Sequence, residues 1–123
     1  MSVRKGTLFE YQARDNIVAF LLSKLRATTH EVYQLDDFYY TRSARSHSEA
    51  DLVFVFRNPN NVEKTEVWLV QCSLSRKSKS EIDRLVKKCK NCGATPVLAY
   101  KKGKSFILDF LDYDGNVANS YEL

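Results

Sequence analysis

Asp51-Leu-Val-Phe-Val-Phe56 and Val67-Trp-Leu-Val-Gln-Cys-Ser73 are the two runs on which the architecture turns. Leu52 to Phe56 is continuously apolar, the pattern of a central strand covered on both faces. Asn58-Pro-Asn-Asn61 is turn chemistry and joins this run to Glu66 to Cys72 as an antiparallel hairpin. Side chains alternate faces along a strand, so Leu69, Gln71 and Ser73 point one way. Trp68 falls on the opposite face, where it packs in a core or a subunit contact. Asp51 opens the first strand and Gln71-Cys72-Ser73 closes the second, which brings polar groups to one site on an apolar hairpin.

Working outward, Leu8, Tyr11, Ile17, Val18, Leu21, Leu22 and Leu25 recur at helical spacing and predict a helix from Thr7 to about Leu25. Thr7 followed by Glu10 has the form of a capping box. Glu31 to Tyr40 reads as a strand, and the polar stretch 41–49 as a loop. Downstream, Ile82, Leu85, Val86 and Cys89 stand at i, i+3, i+4 and i+7, with Ser78 and Glu81 ahead as a second capping box and Gly93 behind as the C-terminal stop. Thr95 to Tyr100 and Ser105 to Phe110 are strands across the Lys101-Lys-Gly-Lys104 turn, and Asp112-Tyr-Asp-Gly115 turns into a short tail. The order, helix, three strands, helix, two strands, predicts an α/β domain: a mixed central β-sheet flanked by helices.

A chain of 123 residues, 44% hydrophobic and 28% charged, is the size and composition of one globular domain covering residues 1–123. No apolar run reaches the roughly 18 to 20 residues that span a bilayer, and no apolar stretch follows the basic start Met1-Ser-Val-Arg-Lys-Gly6. An intracellular, cytoplasmic address without a membrane partner is therefore expected. Three cysteines make no disulfide framework in such a chain. Cys89 and Cys92 have redox- or zinc-like spacing, but Cys89 lies on the apolar stripe and reads as a buried small hydrophobe. The net charge is +4, with basic residues grouped at Arg42/Arg45, Arg76/Lys77/Lys79, Lys87/Lys88/Lys90 and Lys101/Lys102/Lys104. The first two groups flank the proposed site in sequence, which favours a phosphate-bearing partner over a merely solvated surface.

These residues resemble the archaeal Holliday junction resolvases of the PD-(D/E)XK nuclease superfamily. Gly6-Thr-Leu-Phe-Glu10 is similar to that family's opening helix, Arg42-Ser-Ala-Arg-Ser46 to its arginine and serine loop, Asp51-Leu-Val to its metal-binding strand start, and Gly93-Ala-Thr-Pro-Val-Leu-Ala99 to a later strand entry. The resemblance implies a restriction-endonuclease-like core, an archaeal or archaeal-virus source, a homodimer and a branched or duplex DNA partner. It further implies magnesium held by Asp51, Glu10 and the residue at Gln71. DNA would dock on the loop of Arg42, Arg45 and Ser46 and on the basic segment of Arg76, Lys77 and Lys79.

The departures fall at the chemistry. Against the family's acid-any-lysine strand end, Gln71 replaces the second carboxylate and Ser73 replaces the lysine. Glutamine offers a neutral carbonyl oxygen, and serine supplies no cation beside the attacked phosphate; one such loss costs roughly 10²- to 10³-fold in rate. Lys77, or Lys79, stands where a migrated lysine would, and His47 or Glu49 could enter from the loop. Three readings follow: a DNA-binding protein on a nuclease fold with lost or reduced hydrolysis, an active magnesium-dependent junction endonuclease with a rearranged site, and a non-catalytic protein-interaction scaffold. Asp51 and Glu10 also have plain structural readings, as a strand-start hydrogen-bond partner and as the partner of Thr7.

Overall fold

The computed structural model describes residues 5–22, 38–42, 50–58, 61–75 and 77–123. The elements are α1 (Lys5–Phe20), β1 (Phe38–Arg42), β2 (Leu52–Asn58), β3 (Asn61–Ser73), α2 (Lys79–Cys92), β4 (Thr95–Lys102), β5 (Ser105–Leu111) and β6 (Val117–Glu122). The strands form one six-stranded sheet in the order β1-β2-β3-β4-β5-β6. All neighbours are antiparallel except β3 and β4, which α2 connects in parallel. A mixed sheet with helices on it is the fold class that the pattern predicted.

The pleat divides the interior into two cores. Leu52, Phe54 and Phe56 of β2, Trp68, Val70 and Cys72 of β3, and Val97 and Ala99 of β4 bury one face under α1. Val67 and Leu69 of β3, Leu98 of β4 and Leu111 of β5 turn to the other face, where Ile82, Leu85, Val86 and Cys89 of α2 cover them. Each side chain taken wholly out of water there contributes on the order of 1.5–3 kcal/mol. Trp68 is thus a core residue, with its ring 4.9 Å from Phe56 and 4.8 Å from Phe110. Cys89 is fully buried on the helix stripe, as its spacing predicted.

Several boundaries and one helix face differ from expectation. The buried row of α1 is Phe9, Ala13, Ile17, Phe20 and Leu21, while Leu8 and Tyr11 are exposed. Ala13 brings this row close to the sheet, and neighbouring residues on a helix lie about 100° apart, so the stripe turns away from Leu8 and Tyr11. The helix already runs from Lys5, so Thr7 is not its cap. Thr41 and Arg42 belong to β1 and not to a loop, because they pair with Val53 and Leu52. The start of the expected strand at Glu31, and the rest of the loop from Ser43 to Glu49, lie outside the described residues, as does the expected end of the first helix at Leu25. β3 begins at Asn61, five residues before the expected Glu66. Ser78 does hold the N-cap position of α2, but its hydroxyl donates to the Glu81 carboxylate, 3.0 Å away, and bonds no backbone amide. Gly93 ends α2 in the left-handed region, at φ 77°. The expected tail contains a further strand, β6.

Candidate functional site

Four stretches of chain bring charge to the end of the sheet where β2 begins and β3 finishes. Asp51 precedes the Leu52–Val70 pair and Gln71 follows it, so the two stand opposite each other across the ladder. The Asp51 backbone N–H donates to the Val70 carbonyl at 2.8 Å. Its carboxylate in turn accepts from the Cys72 backbone N–H through Oδ2 at 2.7 Å. The strand-start aspartate therefore clips the two strands together at their ends.

Glu10 arrives from α1. It is not a capping partner: its Oε1 accepts from Arg42 Nε at 2.9 Å, closing an ion pair between α1 and β1. Both members are largely shielded, with side-chain exposures of 17% for Glu10 and 32% for Arg42. Charged groups removed from water to this extent interact more strongly than a surface pair. The Arg42 guanidinium also lies 5.2 Å from the centroid of the Tyr11 ring, and Arg14 sits 5.2 Å from the same ring. Both are cation–π distances. Arg14 is further paired with Asp15 at 3.0 Å.

Burial pushes the Asp51 carboxyl above its ordinary value; the Cys72 amide opposes this, Glu10 adds to it, and Lys77 and Arg42 pull it back down. Asp51, Glu10, Arg42 and Lys77 thus share one electrostatic neighbourhood. Burial likewise pushes the Cys72 thiol up, with Asp51 and Glu10 reinforcing the effect, so the buried face beside Glu10 carries a neutral thiol. Lys77 is half-buried, and its Nζ lies 3.3 Å from Glu81 Oε2 one helical turn on.

Gln71 shares its pleat with Leu69, on the face that α2 covers. Its Oε1 is buried and has no hydrogen-bond partner among the described residues. A buried acceptor that finds no donor costs about 1–3 kcal/mol. Ser73 turns its hydroxyl to the Ser75 carbonyl, so it caps its own turn. Lys79 is exposed at the start of α2. Arg45, Ser46 and Arg76, together with His47 and Glu49, lie outside the described residues.

A divalent ion of the magnesium type needs oxygen donors with surplus negative charge. Here the two carboxylates, Glu10 and Asp51, are offset by Arg42 and Lys77, one Glu10 oxygen is on Arg42, and one Asp51 oxygen is on a backbone amide. Among the described residues, no three His, Cys, Asp or Glu side chains gather as a metal-holding group. Gln71 Oε1, the buried acceptor without a partner among the described residues, is neutral. Among the described residues, the site offers a divalent ion two carboxylates already partly offset by cations and one neutral amide oxygen, a weak donor set for a nuclease metal centre.

Sequence reading picked out Glu10, Asp51, Gln71, Arg42 and Lys77 and missed Tyr11 and Arg14, having placed Tyr11 in the core. Their i, i+3 spacing does put them on one helix face, and the approach of Arg42 to the same ring depends on the register of β1.

No protein-family model matches this chain. No curated protein matches it. Among solved structures, the chain is similar to Hjc, a Holliday junction resolvase from the archaeal hyperthermophile Archaeoglobus fulgidus, with 16% identity over 96% of this chain and 87% of that one, at a TM-score of 0.49.

Proposed function

We propose that this protein binds DNA through a nuclease-type site that has lost phosphodiester hydrolysis. The observation that carries the reading is the convergence of Glu10, Arg42, Asp51 and Lys77, from α1, β1, the start of β2 and the approach to α2, at one end of the sheet. Glu10, Arg42 and Asp51 are positions at which the sequence resembles a resolvase, and Lys77 is where a relocated lysine would stand. The two positions where that resemblance breaks, Gln71 and Ser73, stand at the same strand end. A site with a neutral amide for the second acid and a hydroxyl for the lysine keeps the means to sit against a phosphate backbone. It lacks the charge that would stabilise the attacked phosphate. The proposed partner is branched or duplex DNA, met by a homodimer whose twofold would present two such sites to a symmetric substrate.

One observation favours a second reading, an active magnesium-dependent endonuclease: the charge of Lys77 acts on Asp51, as a relocated lysine would. Its ammonium is already engaged by Glu81, which makes the first reading the stronger.

The test is a gel assay with a labelled four-way junction and a matched linear duplex, in EDTA, magnesium and manganese. A shifted but uncut substrate in every buffer is expected. Metal-dependent nicks that vanish in Asp51→Ala would establish the second reading. The absence of both a shift and a cut would end the DNA-binding reading and leave protein association.

A further inference from the structure

The Glu10–Arg42 pair has a consequence for how this site meets a phosphate. We infer that Arg42 is the site's resident cation: it holds the place that a divalent ion fills in a nuclease, and the protein binds its polyanionic partner without any metal. The inference rests on the DNA-binding reading above, and it adds what supplies the positive charge there.

Three observations carry it. Arg42 is fixed, and an arginine at a strand end in solvent is not. It pairs with Leu52 in the ladder, its Nε is 2.9 Å from Glu10 Oε1, and its guanidinium packs 5.2 Å from the Tyr11 ring centroid. A guanidinium held from two sides has already given up its side-chain freedom, which is the condition for a pre-organised anion contact. Charge balance comes second. Among the described residues, Arg42 already offsets the charge of Glu10 directly, and Lys77, shared with Glu81, pulls on Asp51, so the two carboxylates offer an entering ion less than their formal charge. A divalent cation at Glu10 would compete with Arg42 for that carboxylate. The donor set comes third: where a second acid would add charge, the buried acceptor without a partner among the described residues, Gln71 Oε1, carries none to recruit a hard cation.

Arg14 extends the arrangement outward, since it shares the Tyr11 ring with Arg42. Two guanidinium groups thus meet at one ring between α1 and β1, each also paired with a carboxylate. An arginine fork is well matched to phosphate oxygens.

The experiment is a manganese titration followed by electron paramagnetic resonance, in which bound Mn²⁺ loses its free-ion signal, run on the full chain and on Asp51→Asn. In parallel, affinity for a fluorescent four-way junction is measured in EDTA and in Mn²⁺ at matched ionic strength. The expected result is no stoichiometric Mn²⁺ uptake by the natural chain, and junction affinities within about twofold of each other in the two buffers. Arg42→Ala should weaken the junction about tenfold and lower the magnitude of its salt slope by about one. Arg42→Lys, which keeps the charge and loses the planar fork, should fall between. Uptake of one Mn²⁺ per chain that disappears in Asp51→Asn would overturn the inference, as would junction binding that requires the metal. A chain that binds no junction in either buffer refutes the DNA-binding reading itself, a result distinct from metal-dependent binding.

Discussion

Asp51 does structural work whatever else it does. Its Oδ2 receives the backbone N–H of Cys72, a buried residue, at 2.7 Å. Removing the carboxylate strands that donor, and an unmet buried donor costs about 1–3 kcal/mol. Asp51→Ala is therefore expected to lower the unfolding free energy measured in urea by an amount in that range, and Asp51→Asn, which retains an acceptor oxygen, by clearly less. Equal losses in the two variants would mean that the hydrogen bond contributes nothing. This matters for reading any loss of DNA binding in Asp51→Ala, because part of it would be loss of fold. The cysteines allow a second test at this scale. Burial pushes the Cys89 thiol up to about 12, with Cys92 adding to it, and burial also raises Cys72. Cys92 is exposed. A thiol-directed alkylating reagent at pH 8 should therefore modify Cys92 first, with Cys72 and Cys89 labelled only on unfolding, as peptide mass spectrometry would read. Early labelling of Cys89 would show that α2 does not cover it as described.

At the level of elements, β2, β3, α2, β4 and β5 were legible because each declares itself locally. They carry unbroken apolar runs, or a helical stripe with a stop at Gly93. β6 declared nothing. All six of its residues are exposed, so no apolar run marks it. It exists as the partner of β5 and is fastened by side chains from outside its own sequence. Ser120 Oγ donates to Asp109 Oδ1 at 2.6 Å, and Tyr121 sets its ring 5.0 Å from Phe20. Asp109, buried on β5, also receives the Tyr100 hydroxyl at 2.7 Å, so one carboxylate ties together β4, β5 and β6. Asp109→Ala leaves those hydroxyl groups without this acceptor and should cost about 1–3 kcal/mol, with faster hydrogen exchange concentrated in β6. Ser120→Ala should cost about 1 kcal/mol. An Asp109→Ala variant with unchanged exchange in β6 would count against this fastening. The site shows the same split between local and tertiary information. Glu10 and Asp51 were visible as acids at element ends, but the capping-box reading of Glu10 was wrong. Its partner, Arg42, lies 32 residues away, and the register of β1 on β2 decides their meeting.

Across the whole molecule, sheet topology decides which of the basic clusters can act together. β3 and β4 run parallel with Ser73 level with Tyr100, so the turn from Lys101 to Lys104 projects from the sheet end that carries Asp51, Gln71 and Arg42. α2 starts at that end, with Lys77 and Lys79, and runs back toward the start of β4, where Thr95 is level with Trp68. Lys88 and Lys90, in the later part of α2, therefore belong to the opposite end. A net charge of +4 is too small to decide binding by its total, so the placement of the basic residues matters more. Each phosphate contact contributes about 0.9 to the slope of log affinity against log salt on duplex DNA. Reversing Lys101 and Lys102 to Glu should lower the magnitude of that slope by about two and weaken every DNA tested to a similar degree, because phosphate contacts carry no sequence information. Reversing Lys88 and Lys90 changes net charge by the same amount at the other end, and should leave the slope nearly unchanged. Equal effects from the two pairs would mean that binding follows total charge, with no interface at the Asp51 end of the sheet.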